Sequence, residues 1–171
     1  MHKFLKLAKS FIEDHHYNDN NAENFRLAAI IVRGGNVVSV GYNRRNFNGF
    51  VEYYTDLAKN RPSFCVSTHA EHEAILKARE KTDLRGCKIF VARLRRDGTL
   101  AMSRPCTICQ HVLYNYGIKR AYYSIDDETY GVMKVVNPAK LYYKEHDRVF
   151  DANHEERTDF DLQTCLHPSA H

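Results

Sequence analysis

His69-Ala70-Glu71 and, starting 34 residues after Glu71, Pro105-Cys106-Thr107-Ile108-Cys109 are the two stretches whose reading decides the fold. A Cys-x-x-Cys pair on the first turn of a helix aims two sulfurs at one point, and the helix N-terminus favours thiolate over thiol. Pro105 suits the entry to that turn because its missing N–H costs nothing there. Ile108, Val112, Leu113 and Tyr116 recur at helical spacing until Gly117 stops the element. In the first stretch Thr68 is a candidate cap for a helix beginning at His69. Ala70, Ala74, Ile75, Leu76 and Ala78 continue it to about Glu80 with helix-favouring composition. Two helix N-termini facing each other then offer one imidazole and two thiolates to a metal, with one carboxylate beside it. Three protein ligands leave a coordination position open for chemistry, whereas a structural zinc site is normally closed by four.

Cys-x-x-Cys alone also fits half of a structural zinc knuckle or a redox pair, and Cys65, Cys87, His72 or His111 would have to complete a closed site. A closed site has no use for Glu71 two residues from the histidine, nor for a proline abutting the first cysteine. The combined pattern H-x-E…P-C-x-x-C is the signature of zinc-dependent nucleobase deaminases.

On these residues the chain resembles the cytidine/deoxycytidylate deaminase superfamily over about residues 25–125. Gly41-Tyr42-Asn43 is similar to the superfamily's G-x-N segment, and Ser103–Cys109 and Gly117–Ser124 are similar to its second metal helix and following strand. The wording around the cysteines is most like deoxycytidylate deaminases of phage type. One position departs: Glu73 stands where H-A-E-x-N-A would have asparagine. The resemblance implies zinc held by His69, Cys106 and Cys109, with Glu71 relaying protons between a water, N3 of cytosine and the departing amine. It also implies a substrate contact from Asn43, a backbone contact from Ala70, an aromatic from Tyr123 near the base, and a homo-oligomer. Arg44, Arg45, Arg61 and Arg104 are candidate phosphate contacts.

The 171 residues suit one domain with a substantial core, and 43% hydrophobic and 12% aromatic content indicates a globular chain. No apolar run reaches the ~20 residues of a membrane span. Lys3, Lys6, Lys9, Glu13 and Asp14 interrupt the first apolar residues, which suit an amphipathic helix over 2–17 rather than a signal peptide. Two cysteines on zinc leave Cys65, Cys87 and Cys165, an odd remainder without a disulfide framework. The expected location is the cytosol of a bacterium or of a phage-infected host. Residues 61–125 carry 12 Lys and Arg against 5 Asp and Glu, and residues 126–171 carry 5 against 10. A basic catalytic segment favours an anionic substrate, either a nucleotide or a nucleic-acid strand.

The remaining pattern reads as a strand over 25–32, a turn at Gly34-Gly35, a returning strand over 37–42, and a long loop over 43–67 with some helix near Tyr53–Lys59. A strand over 88–94, a turn at Asp97-Gly98, and a strand over 119–124 follow. A last edge strand falls at 132–136 or 141–143. Strand and helix alternate from residue 68, giving an α/β class fold: three layers, α/β/α, a mixed central sheet and both zinc-site helices on one face. Residues 1–145 form the expected domain and 146–171 an acidic tail, in which His154, His167 and His171 lack metal-site spacing. The leading functional expectation is deamination of dCMP to dUMP and ammonia. The alternative is a polynucleotide deaminase acting on cytosine in single strands or adenosine in tRNA, with Tyr42, Phe47, Phe50, Tyr53 and Tyr54 as stacking groups.

Overall fold

The computed structural model describes residues 1–15, 26–44, 68–137 and 147–157. The elements are α1 (Lys3–Asp14), β1 (Arg26–Arg33), β2 (Asn36–Tyr42), α2 (Ala70–Arg79), β3 (Lys88–Leu94), β4 (Leu100–Ala101), α3 (Thr107–Asn115), β5 (Arg120–Ser124), β6 (Tyr130–Lys134) and β7 (Arg148–Phe150). The sheet runs β2-β1-β3-β5-β6-β7, with β4 pairing on β3. β3 and β5 are parallel, joined through α3, and the other neighbours are antiparallel.

Strand periodicity sorts the core into two layers. Ala29, Ile31, Ile89, Val91 and Ala121 face α2 and α3, where they meet Ala74, Ile75, Val112 and Leu113. Ala28, Ile30, Val32, Phe90 and Ala92 face α1 and meet Leu5, Ala8 and Ile12. The expected three layers and mixed sheet are therefore present, with both cysteine- and histidine-bearing helices on one face. The β1–β2 hairpin turns at Gly34 and Gly35, whose φ values of 56° and 87° are the left-handed conformations such a turn requires.

Several boundaries differ from expectation. His69 is the N-cap of α2 and Cys106 that of α3, so both helices start one or more residues later than the pattern suggested. Thr68 instead exchanges backbone hydrogen bonds with Arg44, and Pro105 precedes the cap. The stretch from 146, expected as a tail, supplies β7 to the sheet edge. Glu156 then returns to pair with Arg148, and the Met1 ammonium donates to the carbonyl of Ala152. The pairing was not legible because β7 is only three residues long. Tyr53–Lys59, residues 141–143, Cys65, Cys165, His167 and His171 lie outside the described residues, as does most of the 43–67 loop. Among the described residues, no helix is long and apolar enough to cross a membrane.

Candidate active site

The N-termini of α2 and α3 meet above the sheet. His69 Nδ1 lies 3.2 Å from Cys109 Sγ and 3.5 Å from Cys106 Sγ, and the two sulfurs are 3.5 Å apart. These three side chains are the group of potential metal ligands that the described residues bring together. Gly41 makes this placement possible. A Cβ there would fall 2.3 Å from the carbonyl oxygen of Ala70 and the amide nitrogen of Ala74, so only glycine lets the first turn of α2 lie against β2.

The electrostatics of the cluster call for a cation. The Cys106 thiol is held well below its usual pKa, first by a hydrogen bond from Cys109 and then by His69. Burial drives the Cys109 thiol up, and the negative Cys106 drives it further. Glu71 is buried beside them, and desolvation raises its carboxyl pKa, with His69 pulling the other way. With Cys109 and Glu71 buried and Cys106 close beside them, ionising both thiols next to the carboxylate would be strongly unfavourable unless a metal neutralised the charge. The donor set, two sulfurs and one imidazole nitrogen, is the one zinc prefers. The residues present fit that ion.

A cavity of about 280 Å³ opens on this centre. His69, Ala70, Glu71 and Cys106 form one wall, and Asn43, Arg93 and Arg104 lie among the others. Asn43 reaches it from the end of β2, where its side-chain oxygen accepts from the Leu27 amide at 2.8 Å.

The other expected substrate residues are placed differently. Arg44 does not line the cavity; its guanidinium pairs with Glu73 at 2.6 Å. Glu73, the position that departs from asparagine, also accepts from the Tyr42 amide and pairs with Lys77 at 3.3 Å, tying the end of β2 to α2. Tyr123 is fully buried and does not line the cavity, because its ring covers Gly131. Its hydroxyl donates to Asp147 at 2.7 Å, and Asp147 clamps Arg104 with contacts of 2.6 and 3.2 Å. Arg45 and Arg61 lie outside the described residues.

Sequence reasoning missed Arg93, a cation inside the otherwise apolar run 89–94. That exception was its only signal. From sequence His72 stands out only as a candidate for completing a closed site. It is fully buried, with Nε2 3.6 Å from Cys109 Sγ and its ring stacked on His69. Burial, and then the charge of His69, lowers its pKa to about 4. Its Nε2 is within reach to support the sulfur from outside the ligand set.

Comparison with known proteins agrees with this geometry. The family model for the cytidine and deoxycytidylate deaminase zinc-binding region matches residues 1–125. The chain belongs to this family. It is a zinc-dependent deaminase, and the match takes in α1 as well as the motif-bearing core. No curated protein matches the sequence. Among solved structures it is similar to the dCMP deaminase of cyanophage S-TIM5 in apo form, at 19% identity and a TM-score of 0.43, over 72% of this chain and 78% of that one. The same phage enzyme in complex with dCMP and dUMP gives 19% identity and 0.43, over 70% and 76%. The cytidine deaminase of Burkholderia pseudomallei gives 18% identity and 0.47, over 90% and 94%.

Proposed function

We propose that this deaminase converts dCMP to dUMP and ammonia, with His69, Cys106 and Cys109 as zinc ligands and Glu71 as the proton carrier. The observation that carries the reading is one cavity that joins Glu71 and the ligand cluster to two arginines. Its volume, about 280 Å³, sits at the lower end of the small-molecule range and suits a single pyrimidine nucleotide.

Bound zinc supplies Lewis-acid activation of a water at neutral pH. Glu71, two residues from His69 and walled off from bulk solvent, takes a proton from the attacking water as it adds to C4. It gives that proton to N3, then takes the proton of the new C4 hydroxyl and passes it to the amine, which leaves as ammonia while C4 becomes a carbonyl. Burial suits both halves of that task, because a carboxyl with a raised pKa takes up a proton easily and can give it back. The Ala70 backbone N–H, beside the base position, holds the pyrimidine carbonyl. Asn43 contacts the sugar. Arg104, kept rigid by Asp147, and Arg93 receive the 5′-phosphate; Arg44 serves indirectly by holding Glu73. Tyr123 acts behind the site through Asp147 rather than against the base. The domain that does this extends past residue 145 to include β7, and the active form is a homo-oligomer.

Zinc-loaded protein incubated separately with dCMP, dCTP, CMP, cytidine, single-stranded DNA and tRNA, with ammonia release and base identity followed, tests the assignment. Turnover is expected to be fastest on dCMP. Turnover confined to polymer would replace this reading with a polynucleotide deaminase.

A further inference from the structure

Arg104 reaches the catalytic cavity from the segment that leads into α3, two residues before Cys106. Its backbone is anchored there by two buried serines. The Ser103 amide donates to the Ser124 carbonyl at 2.9 Å, and the Ser124 amide donates to Ser103 Oγ at 2.9 Å. Ser103 Oγ in turn donates to the Val91 carbonyl at 2.7 Å. The Arg104 side chain is held from behind by a carboxylate. Asp147 Oδ2 accepts from Nε at 2.6 Å and Oδ1 accepts from Nη2 at 3.2 Å, and the Asp147 side chain is only 5% exposed. Oδ2 also accepts from the Tyr123 hydroxyl at 2.7 Å.

These contacts bring together parts of the chain that are far apart in sequence. Asp147 lies beyond residue 125, where the match to the deaminase family model ends, and directly precedes β7. β7 pairs with β6 at Val149 and Gly131. Gly131 is also what lets the Tyr123 ring lie where it does, since a Cβ there would fall 2.1 Å from the ring. Burying a carboxylate is costly unless its partners are well placed, and pairs of this kind are weak stabilisers even then. What the pair does supply is order. Asp147 takes one N–H from Nε and one from Nη2, so three of the five guanidinium N–H groups stay available in a fixed orientation. Asp147 itself does not line the cavity, so its charge acts on a ligand at longer range than the N–H groups of Arg104 do.

We propose that Asp147 is a positioning residue that aims Arg104 at the 5′-phosphate, so that the C-terminal segment sets the preference for phosphorylated over unphosphorylated nucleosides. This rests on the reading of dCMP as substrate. Two effects of removing the carboxylate oppose each other. Loss of its negative charge makes the cavity more positive and favours a phosphate. Loss of the clamp frees a long side chain, which must then be ordered anew each time substrate binds. Contact geometry outweighs the longer-range charge, so removal weakens binding of the phosphorylated substrate.

The test is steady-state kinetics of the zinc-loaded full chain on dCMP and deoxycytidine, for the parent, Asp147→Asn, Tyr123→Phe, Arg104→Met and the double variant Arg104→Met/Asp147→Asn. A parent without turnover of dCMP would sink the substrate reading and the proposal with it; with an active parent, the variants decide the proposal alone. Asp147→Asn keeps the shape of the side chain and is expected to raise the KM for dCMP about tenfold, with kcat and zinc content near the parent's. Turnover of deoxycytidine is expected to change less. Tyr123→Phe removes one hydrogen bond to Oδ2 and should move KM the same way by a smaller factor. It carries the same test if Asp147→Asn does not fold. In the Arg104→Met background the change at Asp147 should add nothing further. A lower KM for dCMP in Asp147→Asn would show that charge rather than aim decides, and would overturn the proposal. So would an unchanged KM, an equal loss on deoxycytidine, a loss of zinc, or the same effect with and without Arg104.

Discussion

His72 shows how a residue with no role in the motif can matter to it. It is fully buried, stacks on His69 and sits 3.6 Å from Cys109 Sγ. Groups supporting a metal ligand from behind typically contribute 10–100-fold in affinity. His72→Ala is expected to weaken zinc by about that factor in a chelator competition, and His72→Gln, which restores an N–H donor, to recover part of it. His2 offers a second test, away from the metal. It caps α1 through Nδ1, accepting from the Phe4 amide, and its folded pKa is about 4 against an ordinary 6.5. The unfolded chain therefore takes up a proton between pH 6.5 and 4 while the folded chain does not. Stability from this group is complete above pH 6.5 and is lost as the pH falls towards 4. His2→Asn, which keeps a capping oxygen but does not titrate, should flatten that part of a denaturation-versus-pH curve. An unchanged slope would show that His2 is protonated in the fold.

At the scale of elements, the site depends on how closely α2 approaches β2. Gly41→Ala places a methyl against backbone atoms of Ala70 and Ala74, which cannot rotate away as a side chain would. The expected cost is about 1–3 kcal/mol, with a marked loss of zinc affinity because His69 moves with the helix. Leu5→Ala in α1 is the contrasting case. It opens a cavity in the opposite layer and should cost about 2–5 kcal/mol with little change in zinc affinity. Denaturant titrations paired with zinc competition separate the two, and equal losses of zinc affinity would deny that the layers act independently. The C-terminal ends of α2 and α3 and the Gly34-Gly35 hairpin were legible in the sequence because their signals are local. Tyr123 shares the α2 and α3 face with Ala121, as strand parity requires, but no local pattern shows that its ring is fully buried over Gly131 with its hydroxyl on Asp147. Arg104 and Asp147 are 43 residues apart, and no local pattern announces their pairing. Glu73 looked like a lost asparagine. In the fold it holds Arg44 and the Tyr42 amide, which only the α2–β2 contact brings within reach.

At the scale of the whole molecule, the three-layer order was readable because hydrophobic alternation and helical spacing each name a face. What the sequence could not apportion was charge. Its basic middle surrounds the catalytic cavity only in part, through Arg93 and Arg104, and continues to the far side of the sheet at Lys88 and Arg120, neighbours in the β3–β5 ladder. The two faces therefore present different chemistry: a compact centre of thiolates and carboxylate that needs a metal, and a broad cavity walled by Tyr122, Tyr130, Arg120 and Lys134 that does not. The central claim concerns the first of these, and zinc stoichiometry measured together with ammonia release from dCMP, for the parent protein and Glu71→Gln, tests it most directly. The account predicts one zinc per chain in both proteins, with ammonia from the parent alone. Full turnover by zinc-replete Glu71→Gln would contradict it.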